Sequence, residues 1–409
     1  MVSSLKEEKV TKIAKKILSR YNLCDNCLGR VFAKIEHGKT NQKRGEILRN
    51  NLGKDKKTKI SNCWLCNGLI DEISHFAELI KESLKDYEFD TFLVGSKVDE
   101  DILDREQKLL YFTGSEYSES IKSEINREIG MILVGKFGKE VSFEKPIIMA
   151  VIDTAFDVVN LQIKSLFIYG RYKKYIRDIP QTRWFCKICQ GKGCKKCDYT
   201  GQIYKNSVEG LVAEEFLRKT GGDDVSFHGC GREDVDVRML GNGRPFVLEI
   251  KNPRVRNLDL FQLESDVNTQ NNDRIEITSL RFSDKNEVAR IKKAVFRKKY
   301  RVVFNCEKLI NNEKLKKVAK SLLGRKISQF TPTRVVSRRA NKVRERQIYN
   351  CNIESLDGAI AILTLETESG TYIKEFVTGD NARTKPNISD MIGAPCKIIE
   401  LDVLEIKGE

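Results

Sequence analysis

Three carboxylates and two arginines fall within seven residues, Arg232-Glu233-Asp234-Val235-Asp236-Val237-Arg238. Opposite charges this dense are costly to bury unless paired. The segment therefore reads either as a solvated turn or as an Arg-x-Asp arrangement that keeps one carboxylate ionised and aimed. Glycines lead into it (Gly221, Gly222, Gly229, Gly231) and out of it (Gly241, Gly243), which permits tight backbone and close ligand approach. An ionised carboxylate held this way is a nucleophile or a general base. The chain has only three histidines, His37, His75 and His228, so acid–base work falls to carboxylates, lysine or tyrosine.

Eight of the twelve cysteines form four Cys-x-x-Cys pairs. Cys24, Cys27, Cys63 and Cys66 make two knuckles that suit one tetrahedral structural zinc stapling two separated segments. Cys186, Cys189, Cys194 and Cys197 enclose a shorter loop whose Gly191 and Gly193 allow knuckle turns. A second zinc is one reading there and an iron–sulfur cluster the other. The first residues carry no apolar signal core and no run of eighteen apolar residues occurs, so a cytoplasmic, membrane-free protein with reduced cysteines is expected. Net charge is +15 and the pI about 9.1. Nucleic acid is the polyanion this excess suggests.

Something must position these groups. Helical spacing marks residues 5–21, 71–87, 118–137 and 208–218, and a basic helix over 288–299. Strands are expected at Thr91–Val94, Lys108–Phe112, Pro146–Asp153, Pro245–Ile250, 275–282, 300–305, 359–366 and 396–406. Gly370-Thr371-Tyr372-Ile373-Lys374-Glu375-Phe376 reads as a turn opening a helix. Gly170–Trp184 interleaves Arg171, Lys173 and Arg183 with aromatic rings, a pattern that holds phosphates and stacks bases, or else a linker with a buried tyrosine. Residues 334–346 carry Arg334, Arg338, Arg339, Lys342, Arg344 and Arg346, a phosphate-tracking patch or a solvated helix face.

Four of these segments, Gly170–Trp184, Gly229–Pro245, Gln329–Arg334 with Arg338-Arg339, and Gly370–Thr384, resemble the archaeal and eukaryotic tRNA pseudouridine synthases of the Pus-ten type. The N-terminal cysteine pairs and the central region resemble that family's zinc-bearing module and THUMP-like RNA-binding domain. The resemblance implies an α+β protein whose catalytic core is a mixed, largely antiparallel sheet crossed by a cleft. It implies a zinc-stapled helical segment at 1–70, a THUMP-like domain at 71–183, a knuckle linker at 184–206 and the catalytic domain at 207–409. It places the catalytic aspartate at Asp234, the aromatic ring at Tyr300, the basic partner of the aspartate at Lys374 and an apolar pocket residue at Leu401. Asp236 is the rival for Asp234. Arg232, Arg238, Arg334, Arg338, Arg339, Tyr372, Arg171, Lys173 and Arg183 become candidate RNA contacts. The implied reaction isomerises uridine in the TΨC arm of tRNA, at positions 54 and 55, with no catalytic cofactor. The expected partner is tRNA, with the enzyme a monomer and no dedicated protein partner.

Other readings remain. A sulfurtransferase of the THUMP type needs a Ser-Gly-Gly ATP loop, which is missing. A methyltransferase needs a glycine-rich loop after a strand, and Gly241–Pro245 precedes its strand. A non-catalytic zinc protein that binds tRNA fits the charge and the cysteines equally well. Only the coincidence of Asp234, Tyr300 and Lys374 separates it from an enzyme.

Overall fold

The computed structural model describes residues 4–53, 59–337 and 339–408. It divides into two compact units, Met1–Lys164 and Ser165–Glu409, each with its own apolar core.

In the first unit, helix Glu8–Arg20 buries Val10, Ala14 and Ile17, as its spacing predicts. Both cysteine knuckles share one core with helices Ile73–Leu84 and Ile121–Phe137, so residues 1–70 are no separate domain. Strands β1 (Thr91–Lys97), β2 (Glu140–Val141), β3 (Ile148–Asp153) and β4 (Val158–Ile163) form a sheet in the order β2-β1-β3-β4. Lys108–Phe112, expected as a strand, is the last part of helix Glu100–Thr113. Asp99 caps that helix by accepting from the Asp101 N–H at 2.8 Å, and Leu109 faces inward while Tyr111 is exposed. The helical period of Leu103, Glu106 and Leu109 overrides the local β-propensity of a short apolar run.

The second unit is built on strands β5 (Leu166–Lys174), β6 (Asp224–Gly229), β7 (Arg238–Lys251), β8 (Ile275–Ser283), β9 (Lys298–Cys306), β10 (Lys326–Phe330), β11 (Val343–Asp357), β12 (Ile360–Thr367), β13 (Thr384–Lys385) and β14 (Cys396–Ile406). Nine run in the order β13-β10-β11-β12-β9-β14-β7-β5-β8, and β6 pairs with β7. All pairs are antiparallel except β14 with β7. The sheet therefore is mixed and largely antiparallel, as the resemblance implies. Strand β5 hydrogen-bonds to both β7 and β8, so the domain boundary lies at 164/165 and not at 183. Gly170–Lys174 is thus strand interior, and Tyr172 is wholly buried. Tyr172 follows the linker reading of the basic segment in burying its ring, but the backbone around it is a core strand.

Helix Val208–Thr220 starts where Ser207 accepts from the Gly210 N–H at 3.0 Å and stops at left-handed Gly221. The basic helix is shorter than its charge pattern suggests, Lys285–Lys293. Among the described residues of 334–346 there is no helix face. A single turn, Thr333–Val335, leads through a loop into β11. Cys306 and Cys396 stand opposite each other across β9 and β14 with their Cα atoms 4.1 Å apart and form a disulfide. Cross-strand register brings these two thiols together, and the pair departs from the expectation of reduced cysteines.

Candidate active site

The segment Cys230–Val237 links β6 to β7, and its alternating directions sort its charges. Glu233 turns inward. Its carboxylate accepts from the Tyr172 hydroxyl (2.9 and 2.8 Å) and from Arg244 Nε (2.8 Å). Arg244 Nη1 also donates to the Cys230 carbonyl at 2.9 Å, and Gln181 Nε2 bridges Tyr172 Oη and the Gly231 carbonyl. Beneath the loop, buried Lys174 donates to the carbonyls of Ile179, Asp234 and Val235. Arg177 Nη1 ties the Asp236 carbonyl to that of Leu401 on β14. Five side chains, those of Tyr172, Lys174, Arg177, Gln181 and Arg244, thus hold this short loop, and Asp234 projects from it into a cleft.

That cleft holds about 490 Å³. Arg232, Glu233, Asp234, Arg244, Lys298, Tyr300, Arg334, Arg339, Tyr372, Lys374 and Leu401 all reach it. Helix Ile373–Thr378 brings Lys374 and Glu375 to one side, and buried Gln329 fixes its start by bonding the Tyr372 N–H and carbonyl at 2.9 and 3.0 Å. Among the described residues Arg334 is the nearest cation to Asp234, at 3.0–3.1 Å, and its Nε donates to Glu375 at 2.7 Å. Lys374 Nζ lies 2.7 Å from both Asp236 oxygens and 3.5 Å from Asp234. Burial pushes the Asp236 carboxyl up, but the Lys374 hydrogen bond and charge outweigh it and hold the group below the usual range. Burial, helped by Asp234 and Glu233 against Arg244, pushes Tyr300 up to about 12, so its phenol keeps its proton at neutral pH.

The profile of the Pus10 C-terminal region matches residues 167–407, and that of the archaeal Pus10 THUMP domain matches residues 76–153. The tRNA pseudouridine synthase Pus10 of Methanothrix thermoacetophila is 36% identical over 97% of this chain and 94% of its own. Its counterpart in Methanothermobacter marburgensis is 39% identical over 94% and 95%. The chain belongs to the Pus10 family of tRNA pseudouridine synthases.

Several sequence expectations meet a different geometry in this Pus10 chain. Arg232, the arginine of the Arg-x-Asp pair, leans over the Trp184 ring at 5.9 Å, and Arg334 from a distant loop takes the Asp234 carboxylate. Lys374 is shared, with Asp236 its closer partner. Arg238 is bidentate to buried Asp402 at 2.7 and 3.0 Å, Arg171 bonds the Asn242 and Gly243 carbonyls, Lys173 pairs with Glu276 and Arg183 with Asp224. These four brace the sheet and do not line the cleft. Arg338 lies outside the described residues.

Sequence reading missed Lys298. It shares the buried face of β9 with Tyr300, lines the cleft and lies close to Gly231 and Arg244. Period-two alternation from Tyr300 would have found it. Burial, then the Arg244 charge, lowers its ammonium to about 8. A folded-state value below the ordinary 10.5 disfavours the folded protein at low pH, and the penalty fades between about 8 and 10.5 as the folded form releases its proton first. Lys298→Met should therefore gain stability over the parent at pH 7, with the gap closing by about pH 10. Urea melts at both pH values check this, and a pH-independent gap contradicts it.

Both cysteine sets fit structural zinc. In each, four thiols lie within 4.8 Å of one another. Cys24 and Cys66 sulfurs are 3.9 Å apart, and in the second set Cys186–Cys194, Cys189–Cys197 and Cys194–Cys197 are 3.7–3.9 Å apart. A tetrahedron with the ~2.3 Å arms of zinc–thiolate has edges of about 3.8 Å. Such edges admit one ion and leave no space for a cage of irons. Backbone N–H groups of Cys24 and Cys194 point at sulfurs of Cys63 and Cys197 at 3.3 Å, which favours thiolates. Cys63→Ser should halve the zinc bound per chain, measured by atomic emission.

Proposed function

We propose that this enzyme isomerises uridines of the tRNA TΨC arm, at positions 54 and 55, with Asp234 as the reacting carboxylate. One observation carries the assignment: Asp234, Tyr300 and Lys374, far apart in sequence, share a single cleft. The reaction breaks N1–C1′, turns the base and joins C5 to C1′, with one proton lost from C5 and one gained at N1. Asp234 attacks the ribose C1′ or uracil C6, or takes a proton on a glycal route. Arg334 and Lys374 balance its charge and aim it. Tyr300, protonated and lining the cleft with Leu401, stacks on the uracil. A uridine in folded RNA is reached only by flipping, at a cost of a few kcal/mol offset by stacking and phosphate contacts. Arg232 and Arg339, both exposed on the cleft rim, are suited to those contacts. The partner is tRNA, bound by a monomer in the cytoplasm. Among the described residues no helix is long and apolar enough to cross a membrane.

Purified protein incubated with an unmodified tRNA transcript and no cofactor should yield mass-silent, carbodiimide-reactive products at positions 54 and 55. Tight binding without product would leave only the RNA-binding alternative.

A further inference from the structure

A second cleft of about 180 Å³ adjoins the first and shares Arg232, Glu233, Asp234, Arg334 and Val335 with it. Its own wall is Pro180, Gln181, Thr182, Trp184 and Val235. The volume is below the ~300–1,000 Å³ of a pocket that takes a whole ligand, so it suits one fragment of a larger substrate. The Trp184 indole supplies an aromatic wall, Pro180 and Val335 supply apolar ones, and Arg232 brings a cation over the indole at 5.9 Å. An aromatic face beside a guanidinium is the chemistry that holds one unstacked base and its phosphate.

Trp184 is also fixed in place. It sits where the chain enters the second cysteine knuckle. Its carbonyl accepts from the Ile203 N–H at 2.8 Å, Phe185 bridges to Gln202, and the Cys186 N–H donates to Gly201 at 2.7 Å. Tyr204 packs edge-on against its ring at 5.5 Å. The two chains leaving the knuckle thereby clamp the indole at the cleft mouth, which gives the knuckle a role that isomerisation itself does not require.

We propose that Trp184 and Arg232 form a nucleobase subsite that receives the nucleotide next to the flipped uridine. The inference rests on the reading that the larger cleft takes a uridine from tRNA. The shared wall makes the two bases neighbours: one enters over Tyr300, and the adjoining one rests on Trp184 with the linking phosphate near Arg232.

The chain has two tryptophans, Trp64 and Trp184. In a Trp64→Phe background the emission therefore reports Trp184 alone. Full-length tRNA, assembled by ligation, is titrated in three forms: intact, abasic 5′ of the target uridine, and abasic 3′ of it. Intact tRNA should quench the emission, and one of the abasic forms should fail to quench and bind about tenfold more weakly. In the otherwise natural sequence, Trp184→Ala should lower kcat/KM by about tenfold, mainly through KM, and Trp184→Phe should restore most of it. Equal quenching by all three RNAs, or equal losses in the Ala and Phe variants, would overturn the subsite. Isomerisation of the intact tRNA is assayed in the same samples. Its absence would count against the proposed reaction, whereas its persistence without base-dependent quenching counts against the subsite alone.

Discussion

Asparagine in place of Asp234 is expected to lower isomerisation by at least about a thousandfold while tRNA affinity stays within a few-fold. The amide keeps the shape and can still accept from Arg334, but it carries no charge to attack carbon or take a proton. A positioned acid–base group contributes roughly 10²- to 10⁴-fold, and a covalent nucleophile no less. Binding is spared because Asp234 adds negative charge to a surface that must receive phosphates. Asp236 is the control. It takes both 2.7 Å contacts of Lys374 and is more than half exposed, so it is bound to a counter-ion at the rim. Asp236→Asn frees Lys374 to close the 3.5 Å gap to Asp234, and the loss should stay below about tenfold. Single-turnover rates with carbodiimide detection measure both variants. The opposite ranking would move the reacting carboxylate to Asp236.

The sequence disclosed the cleft's lining better than its wiring. The family resemblance put forward Asp234, Tyr300, Lys374 and Leu401, and all four line one cleft. Arg334 could be singled out as basic, but its bond to Asp234 spans one hundred positions and depends on β10 and the helix Ile373–Thr378 sharing one end of the sheet. Composition is silent on that. Strand β5 was misplaced for a related reason. Arg171, Lys173 and Arg183 look like an RNA-facing stripe in sequence, and each has a carbonyl or carboxylate partner within the protein. Glycines told a mixed story. At Gly241, with φ +60°, a Cβ would lie 1.7 Å from the Leu404 carbonyl oxygen, so this residue serves the approach of β7 to β14 and no ligand. Both cysteine sets, by contrast, were legible from spacing alone, because metal geometry is itself a local constraint.

The largest loss of stability is expected from the inward half of the same loop. Glu233 and Arg244 are each 1% exposed and bonded at 2.8 Å, so neither charge has water to fall back on. Removing one partner strands the other, which costs about 3–5 kcal/mol. Glu233→Gln should show this loss in urea titration, followed by Trp184 fluorescence in the Trp64→Phe background. At about 2–4 °C per kcal/mol for a unit of this size, the melting point should fall by roughly 6–20 °C. Arg244→Met should cost a similar amount, and Glu233→Leu with Arg244→Met together less than the sum, because an apolar pair leaves no stranded charge. Activity should not recover with stability in that double variant. The Tyr172 hydroxyl loses the carboxylate and the Cys230 carbonyl loses the guanidinium that fix the loop, so Asp234 is no longer aimed, and kcat should remain at least about tenfold low with tRNA affinity intact. A double variant that regains both stability and full kcat would show that Glu233 and Arg244 only hold the fold, and that Asp234 finds its place without them.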